Sequence, residues 1–574
     1  MLKNYFKTSL RFLLKNKTYS LINIIGLALG TLCCTYIILY VTDQYSYDKQ
    51  QRDAKDIYRI VSRMEIAGDK HHNATASPPI APAMKRDFGE VIQYTRIVPM
   101  LQVNKSLLNY REKFIYEDQA FYADSTLFDM FNYHFIYGNP SNALKAPYTI
   151  VLMKSVSDKL FGSEDPLGKT ITIENNYGRD QFKVTGVIDE SLGKTQIRAN
   201  MFLNLNSGGM GSYTASNQAW AGNNYCYSFI KLRPGAQAAD LETKLPAFLN
   251  KYGGDQMRQM GMTKSLELQP LLSVHTTSGI EFDMIRPVSS TFLNIMILIA
   301  VLVQVIACIN FMNLSTARAT KRAKEVGVRK VIGAGRYALI KQFLAESMFL
   351  SFLGILIALP LLVFALPYLN QITQADIHLT LFRDYRLWIF LAALVLMTGL
   401  IAGSYPAFYL SAFQANQVIK GNFSNRISAA GIRRTLVVFQ FVLSIVLICS
   451  IIIVYSQLSY IKNMDLGFDK KQKLIFSFYT DASQKKMEAF SNDLQQLPEV
   501  KGVALSNYYL GQFVEQDHGV YPPGGNMTTS IDAQNIAVDE HFIKTNGIQI
   551  IAGRDFHLYD SGKTLINETL CRRL

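Results

Sequence analysis

Cysteine is scarce in this chain, with six in 574 residues. Cys33, Cys34, Cys308 and Cys449 lie inside long apolar runs, and only Cys226 and Cys571 stand outside them. That pattern supports neither a disulfide framework nor a thiolate metal centre. The eight histidines are scattered, and the His71-His72 pair lacks the spaced Cys, Asp or Glu partners of a metal site. No nucleophile elbow, zinc-protease helix or paired-carboxylate motif stands out, so no catalytic, cofactor-binding or metal-binding residue is nominated. A phosphate-binding loop is missing too. Gly168-Lys169-Thr170, Gly193-Lys194-Thr195 and Gly562-Lys563-Thr564 share its last three residues, but such a loop needs another glycine five residues earlier. Gly162 is one residue too far from the first triplet, and Ile188 and His557 occupy that position before the others.

Charge is missing from long stretches. About 20 apolar helical residues cross a hydrocarbon core of roughly 30 Å, and five runs approach or reach that length: 21–41, about 292–314, 348–369, 387–407 and 435–455. The third holds Pro360 and Pro367, where a kink is expected. A composition of 49% hydrophobic residues with mean hydropathy +0.10 fits spans alternating with water-soluble regions.

Acids are missing from the basic flanks. Lys3, Lys7, Arg11, Lys15 and Lys17 precede the first run without an acid, and Leu2, Phe6, Leu10 and Leu13 alternate with them. Residues 1–20 therefore read as an amphipathic helix on the inner membrane surface. The linker 412–434 holds Lys420, Arg426, Arg433 and Arg434, again without an acid. The excess of basic residues beside the spans accounts for the net charge of +14 through topology and not through nucleic acid. The expected fold is an α-helical transmembrane protein with about five spans, a cytoplasmic N-terminus and extracytoplasmic α+β domains at 42–285 and 456–574. A cleaved signal peptide is the weaker reading of the first run, because its apolar core exceeds the usual length of about 7–15 residues and no small-x-small site follows.

Within 42–285, Thr170–Glu174 and Phe182–Ile188 alternate in the strand period, and 155–161 reads as a short helix. Parts of this region recur. The segments 11–49 and 433–470 each run from a basic flank through an apolar span to an Asp-Lys pair, Asp48-Lys49 and Asp469-Lys470. Asp124 precedes Gly138, and Asp539 precedes Gly553, at the same distance. The apolar positions of 151–160 match those of 565–574. The expectation is a second copy of the outer domain that is incomplete in this chain, from an interrupted or shortened gene.

One segment between spans is too patterned to be a mere connector. Arg318, Lys321, Arg322, Lys324, Arg329, Lys330 and Arg336 surround the single acid Glu325. Val328, Val331 and Ile332 fall on one helical side, and Gly333-Ala334-Gly335 would end that helix. Glu325 precedes Arg329 by four residues, the favourable order for a helical ion pair.

With these residues in view, the chain resembles a MacB/FtsX-type ABC transporter permease in its duplicated two-unit form. The resemblance is carried by 319–334, by Gln342-Phe-Leu-Ala-Glu-Ser347, by Ala402-Gly-Ser-Tyr-Pro-Ala407 with Leu410-Ser411 and by Lys420-Gly421, together with Tyr47-Asp48-Lys49 and Phe468-Asp469-Lys470. It implies a MacB-like periplasmic core domain at 42–285 and an FtsX-like permease domain at 286–411 with a cytoplasmic coupling segment at 315–346. It further implies a multi-pass protein of the bacterial inner membrane that does not hydrolyse ATP itself. A homodimeric ABC ATPase subunit would grip the coupling helix and the outer domain would work on an envelope substrate, with a periplasmic adaptor or envelope protein as a further partner. No cofactor and no nucleic acid enter. Carried over by residue, Arg322, Glu325, Arg329 and Lys330 would offer polar contacts, Val328, Val331 and Ile332 would pack, and Gly327 and Gly333 would permit close approach and the turn.

The rival readings are fewer. Anchoring of the basic loop to anionic lipid needs neither Glu325 nor the glycines. A membrane-anchored sensor or scaffold would survive charge reversal at Glu325 and Arg329 unchanged. A membrane-bound hydrolase has no constellation to support it, and a secondary transporter would need ionisable residues within the spans. No residue selects a substrate.

Overall fold

The structure, a computed structural model, describes residues 17–66, 68–100, 103–189, 193–317, 326–379, 385–411, 426–512, 514, 517–526 and 530–574. The amphipathic reading of 1–16, the first part of the 412–434 linker, and Arg322 and Glu325 lie outside the described residues. The chain divides into two compact units, one of residues 1–45 and 290–464, the other of 46–289 and 465–574.

The first unit is helical. Among the described residues, five helices are long and apolar enough to cross a membrane: α1 (Lys17–Gln44), α2 (Ser290–Ala317), α3 (Arg336–Thr373), α4 (Tyr385–Ser411) and α5 (Arg426–Asn463). Each runs beyond its apolar stretch at both ends. Helix α3 is continuous through Pro360 and Pro367. Lipid tails are as apolar as leucine, so these helices associate through close packing and buried polar contacts. The Gly399-x-x-x-Gly403 pair on α4 meets both requirements for close packing. A Cβ on Gly399 would lie 2.8 Å from Met348 Cα, and one on Gly403 would lie 2.6 Å from Ser347 Oγ. Gln304 on α2 donates to Thr398 Oγ1 on α4 at 2.8 Å within the bundle. Leu27, Ala307, Cys308, Phe311, Leu350 and Ala402 form the apolar centre of α1–α4. Helix α5 keeps no described side chain buried; Asn313 on α2 donates to its Gln440 at 3.4 Å.

The second unit is built on a mixed sheet. From one edge its strands run Met262–Pro270, Ile57–Ile66, Tyr227–Leu232, Val91–Pro99, Ala120–Ala123 and Met201–Asn204, then Thr149–Met153, Gly178–Asp189, Thr170–Asn175, Ser106–Tyr110 and Lys113–Glu117. Two neighbouring pairs are parallel, Gly178–Asp189 with Thr149–Met153 and Met201–Asn204 with Ala120–Ala123. The strands at 170–175 and 178–189 and the helix Lys154–Phe161 fall where the sequence period placed them. Three apolar clusters cover the sheet, around Phe182, Phe202 and Phe248.

The sequence recurrence has a counterpart in the backbone. Asp124 takes the Arg96 amide at 2.8 Å and returns its own amide to the Arg96 carbonyl at 3.1 Å. Asp539 takes the Leu505 amide at 2.8 Å and returns its own at 3.1 Å. Gly138 and Gly553 both have positive φ, 89° and 85°. The side chains differ: Arg96 closes a bidentate, largely buried pair with Asp124 at 2.9 Å, whereas leucine stands opposite Asp539. Burial pushes the Asp539 carboxyl up from its ordinary value.

Candidate functional site

The segment between α2 and α3 carries the residues singled out above. Residues 326–331 are helical. Gly333 ends the helix at φ +97°, a conformation open to glycine at no steric cost. Its amide donates to Lys330 O at 3.0 Å and the Ala334 amide donates to Arg329 O at 3.0 Å, the paired closure of a Schellman turn. Gly335 then precedes the first residue of α3, so two helices meet at a sharp corner.

The inner face of this short helix is pinned to the bundle. Val326 is 2% exposed and packs with Leu339, Phe343, Ala407 and Leu410. Arg329 donates to Gln342 Oε1 on α3. Lys330 donates to the backbone carbonyl of Ser411, the last described residue of α4, at 2.7 Å. Partial burial, with Arg336 nearby, holds the Lys330 ammonium below its ordinary pKa.

The outer face is apolar and bare. Val328, Val331 and Ile332 are 59%, 62% and 80% exposed, and Tyr337 on the first turn of α3 is 81% exposed. Val328, Val331 and Ile332, which periodicity placed on one side, all face outward, and Val326, outside that set, goes inward. Arg329 and Lys330 hold the helix to α3 and α4. The sequence named neither Gln342 nor Ser411 as their partners, although both stand in motifs that carried the resemblance.

Two family models match this chain. The MacB-like periplasmic core domain matches residues 20–248, and the FtsX-like permease C-terminal domain matches residues 297–415, which includes the corner just described. The chain belongs to the MacB/FtsX-type ABC permeases. It is similar to the macrolide export ATP-binding/permease protein MacB of Neisseria gonorrhoeae, 27% identical over 214 residues, covering 37% of this chain and 29% of that protein. The MacB of Bdellovibrio bacteriovorus is 28% identical over 213 residues, covering 37% and 30%. The permease thus spans less than a third of the length of the curated relatives it matches. Among solved structures, the periplasmic region of MacB from Actinobacillus actinomycetemcomitans is 15% identical, covering 39% of this chain and 95% of that one, with a TM-score of 0.27. The extracellular domain of the noncanonic ABC-type transporter YknZ is 16% identical, covering 37% and 99%, with a TM-score of 0.26. The permease is a multi-pass membrane protein with a MacB-like periplasmic-type domain.

Proposed function

We propose that this permease couples ATP hydrolysis by a separate, homodimeric ABC ATPase subunit to movement of its outer domain on an envelope substrate in the bacterial inner membrane. In this reading the N-terminus is cytoplasmic, 42–285 is a core domain outside the membrane, and 456–574 belongs to a second one. A periplasmic adaptor or envelope protein completes the assembly.

The observation that carries the reading is the split character of the helix at 326–331. Its bare face, Val328, Val331 and Ile332, offers apolar area to a partner, and burying such side chains is worth roughly 1.5–3 kcal/mol each. Its inner face is tied to α3 through Arg329 and to α4 through Lys330. A push on the bare face is therefore delivered to two spans at once.

The test is co-purification of the affinity-tagged full chain from its native host, with ATPase activity measured in the eluate. Ile332→Asp with Val331→Asp is expected to remove the co-purifying ATPase while leaving the permease folded and membrane-inserted. Retention of the ATPase at the wild-type level by that folded variant would overturn the docking assignment.

A further inference from the structure

The first segment of the outer unit, residues 46–289, is entered and left by two short connectors. One follows Gln44, the last residue of α1; the other precedes Ser290, the first residue of α2. Both connectors meet one residue that neither the motifs nor the family comparisons single out, His275, the first at its ring and the second at its backbone carbonyl.

Tyr47, three residues beyond the end of α1, lies flat on the His275 ring, with centroids 3.6 Å apart and planes at 9°. Val288, two residues before α2, donates its amide to the His275 carbonyl at 2.9 Å. His275 is 3% exposed and Tyr47 is 9% exposed. Gln196 Nε2 sits 2.6 Å from His275 Nδ1, a donor that requires a lone pair on that nitrogen and so a neutral ring. Burial, with Lys194 and Arg198 nearby, lowers the His275 pKa to about 4, consistent with that state.

The same corner fixes the first connector from its other side. Asp48, fully buried, accepts from Thr195 Oγ1 at 2.6 Å and from the Gln196 amide at 3.2 Å. Its own amide donates to Lys194 O at 2.9 Å, and Gln50 Nε2 donates to the same carbonyl at 2.9 Å. Asp48 has φ +58°, a conformation costly to a non-glycine residue unless its surroundings over-determine it. These contacts join residues 47–50, 194–196, 275 and 288, all within one compact unit.

We propose that His275 is a positioning residue that clasps the two membrane connectors, so that displacement of either is imposed on the other and on the sheet behind them. This rests on the reading of the chain as a permease that transmits movement. It adds to that reading the point at which the movement enters the outer unit.

The test reads one connector while perturbing the other, by hydrogen exchange on the full chain in lipid nanodiscs without any ATPase. Tyr47→Ala is expected to speed exchange of the peptide 284–289 by tenfold or more, with the amides of strand Gly178–Asp189 unchanged. Tyr47→Phe keeps the stacked ring and is expected to restore the wild-type rate. A Tyr47→Ala rate within twofold of wild type at 284–289, with the sheet protected, would overturn the clasp. If Tyr47→Ala loses protection throughout, Tyr47→Leu is read by the same criterion. Because no ATPase is present, failure here leaves the docking assignment standing, and failure of docking leaves this result standing.

Discussion

Lys330 Nζ lies 2.7 Å from the backbone carbonyl of Ser411, so the short helix after α2 is tied directly to α4. A single side chain thus joins the helix that carries the bare apolar face to a neighbouring span. Lys330→Met keeps the stem and removes the donor. It is expected to leave ATPase co-purification intact and to weaken the seating of 326–331, by about 1–2 kcal/mol for a charged hydrogen bond of this kind. Limited proteolysis between residues 326 and 336 checks it, and a cleavage rate equal to wild type would count against the tie.

Close packing of α3 on α4 predicts intolerance at one glycine. Gly403→Leu would drive side-chain atoms into Ser347, whose Oγ and Cβ lie 2.6 Å and 2.7 Å from the position of a Cβ. Overpacking of this kind typically costs about 1–3 kcal/mol. A lower midpoint of thermal unfolding in detergent is expected, and Gly403→Ala should fall between wild type and leucine.

Asp48 and His275 predict opposed pH effects on the outer unit. Burial raises the Asp48 pKa from 3.8 to about 6, so the folded state holds that proton more tightly and its stability falls as pH rises across that window. The His275 pKa is lowered from 6.5 to about 4, so the unfolded state holds that proton more tightly and stability rises across nearly the same window. Each swing is on the order of 3 kcal/mol, and the two largely cancel in the wild type. His275→Phe should expose a stability that decreases from pH 4 to 6, and Asp48→Asn one that increases from pH 4 to 6.5. Denaturant unfolding at a series of pH values reads both slopes, and equal slopes in the two variants would contradict the assignment.

Lys264 predicts a separate alkaline effect. Its ammonium is buried among neutral oxygens, donating to Ser77 Oγ and Asn224 Oδ1 at 2.7 Å each and to Trp220 O at 2.8 Å. Burial lowers its pKa from 10.5 to about 7. The unfolded state holds the proton more tightly between those values, so stability should rise with pH from 7 to 10.5, by a few kcal/mol in order of magnitude. Lys264→Met should flatten that rise and lose stability at every pH, because the three oxygens lose their donor. Hydrogen exchange of strand Met262–Pro270 at pH 7 and pH 10, corrected for intrinsic rates, measures the difference.

The spans were legible because an uncharged run long enough to cross a bilayer has few other uses, and the strands near 170 and 182 because half-buried strands alternate. The facing of the short helix was harder to read. Val326, Val328, Val331 and Ile332 are all apolar, and only the positions of Leu339 and Leu410 decide that the first is core and the others are surface. The resemblance gave Arg329 and Lys330 polar contacts with a partner, whereas Gln342 Oε1 on α3 and the Ser411 carbonyl on α4 take their hydrogen bonds. The meeting of Tyr47 with His275 had no sequence signal at all, because nearly the whole outer unit separates them along the chain and no period links them. Tyr47-Asp48-Lys49 was visible as a motif, though its partner was not.

The glycine contacts between α3 and α4 have a mechanical consequence. With Gly399 against the Met348 backbone and Gly403 against Ser347, the two helices have little room to slide or roll past one another. The tethers from Arg329 and Lys330 therefore end on one stiff beam and not on two independent rods. A larger residue at either glycine would have to part the two helices before it could be accommodated.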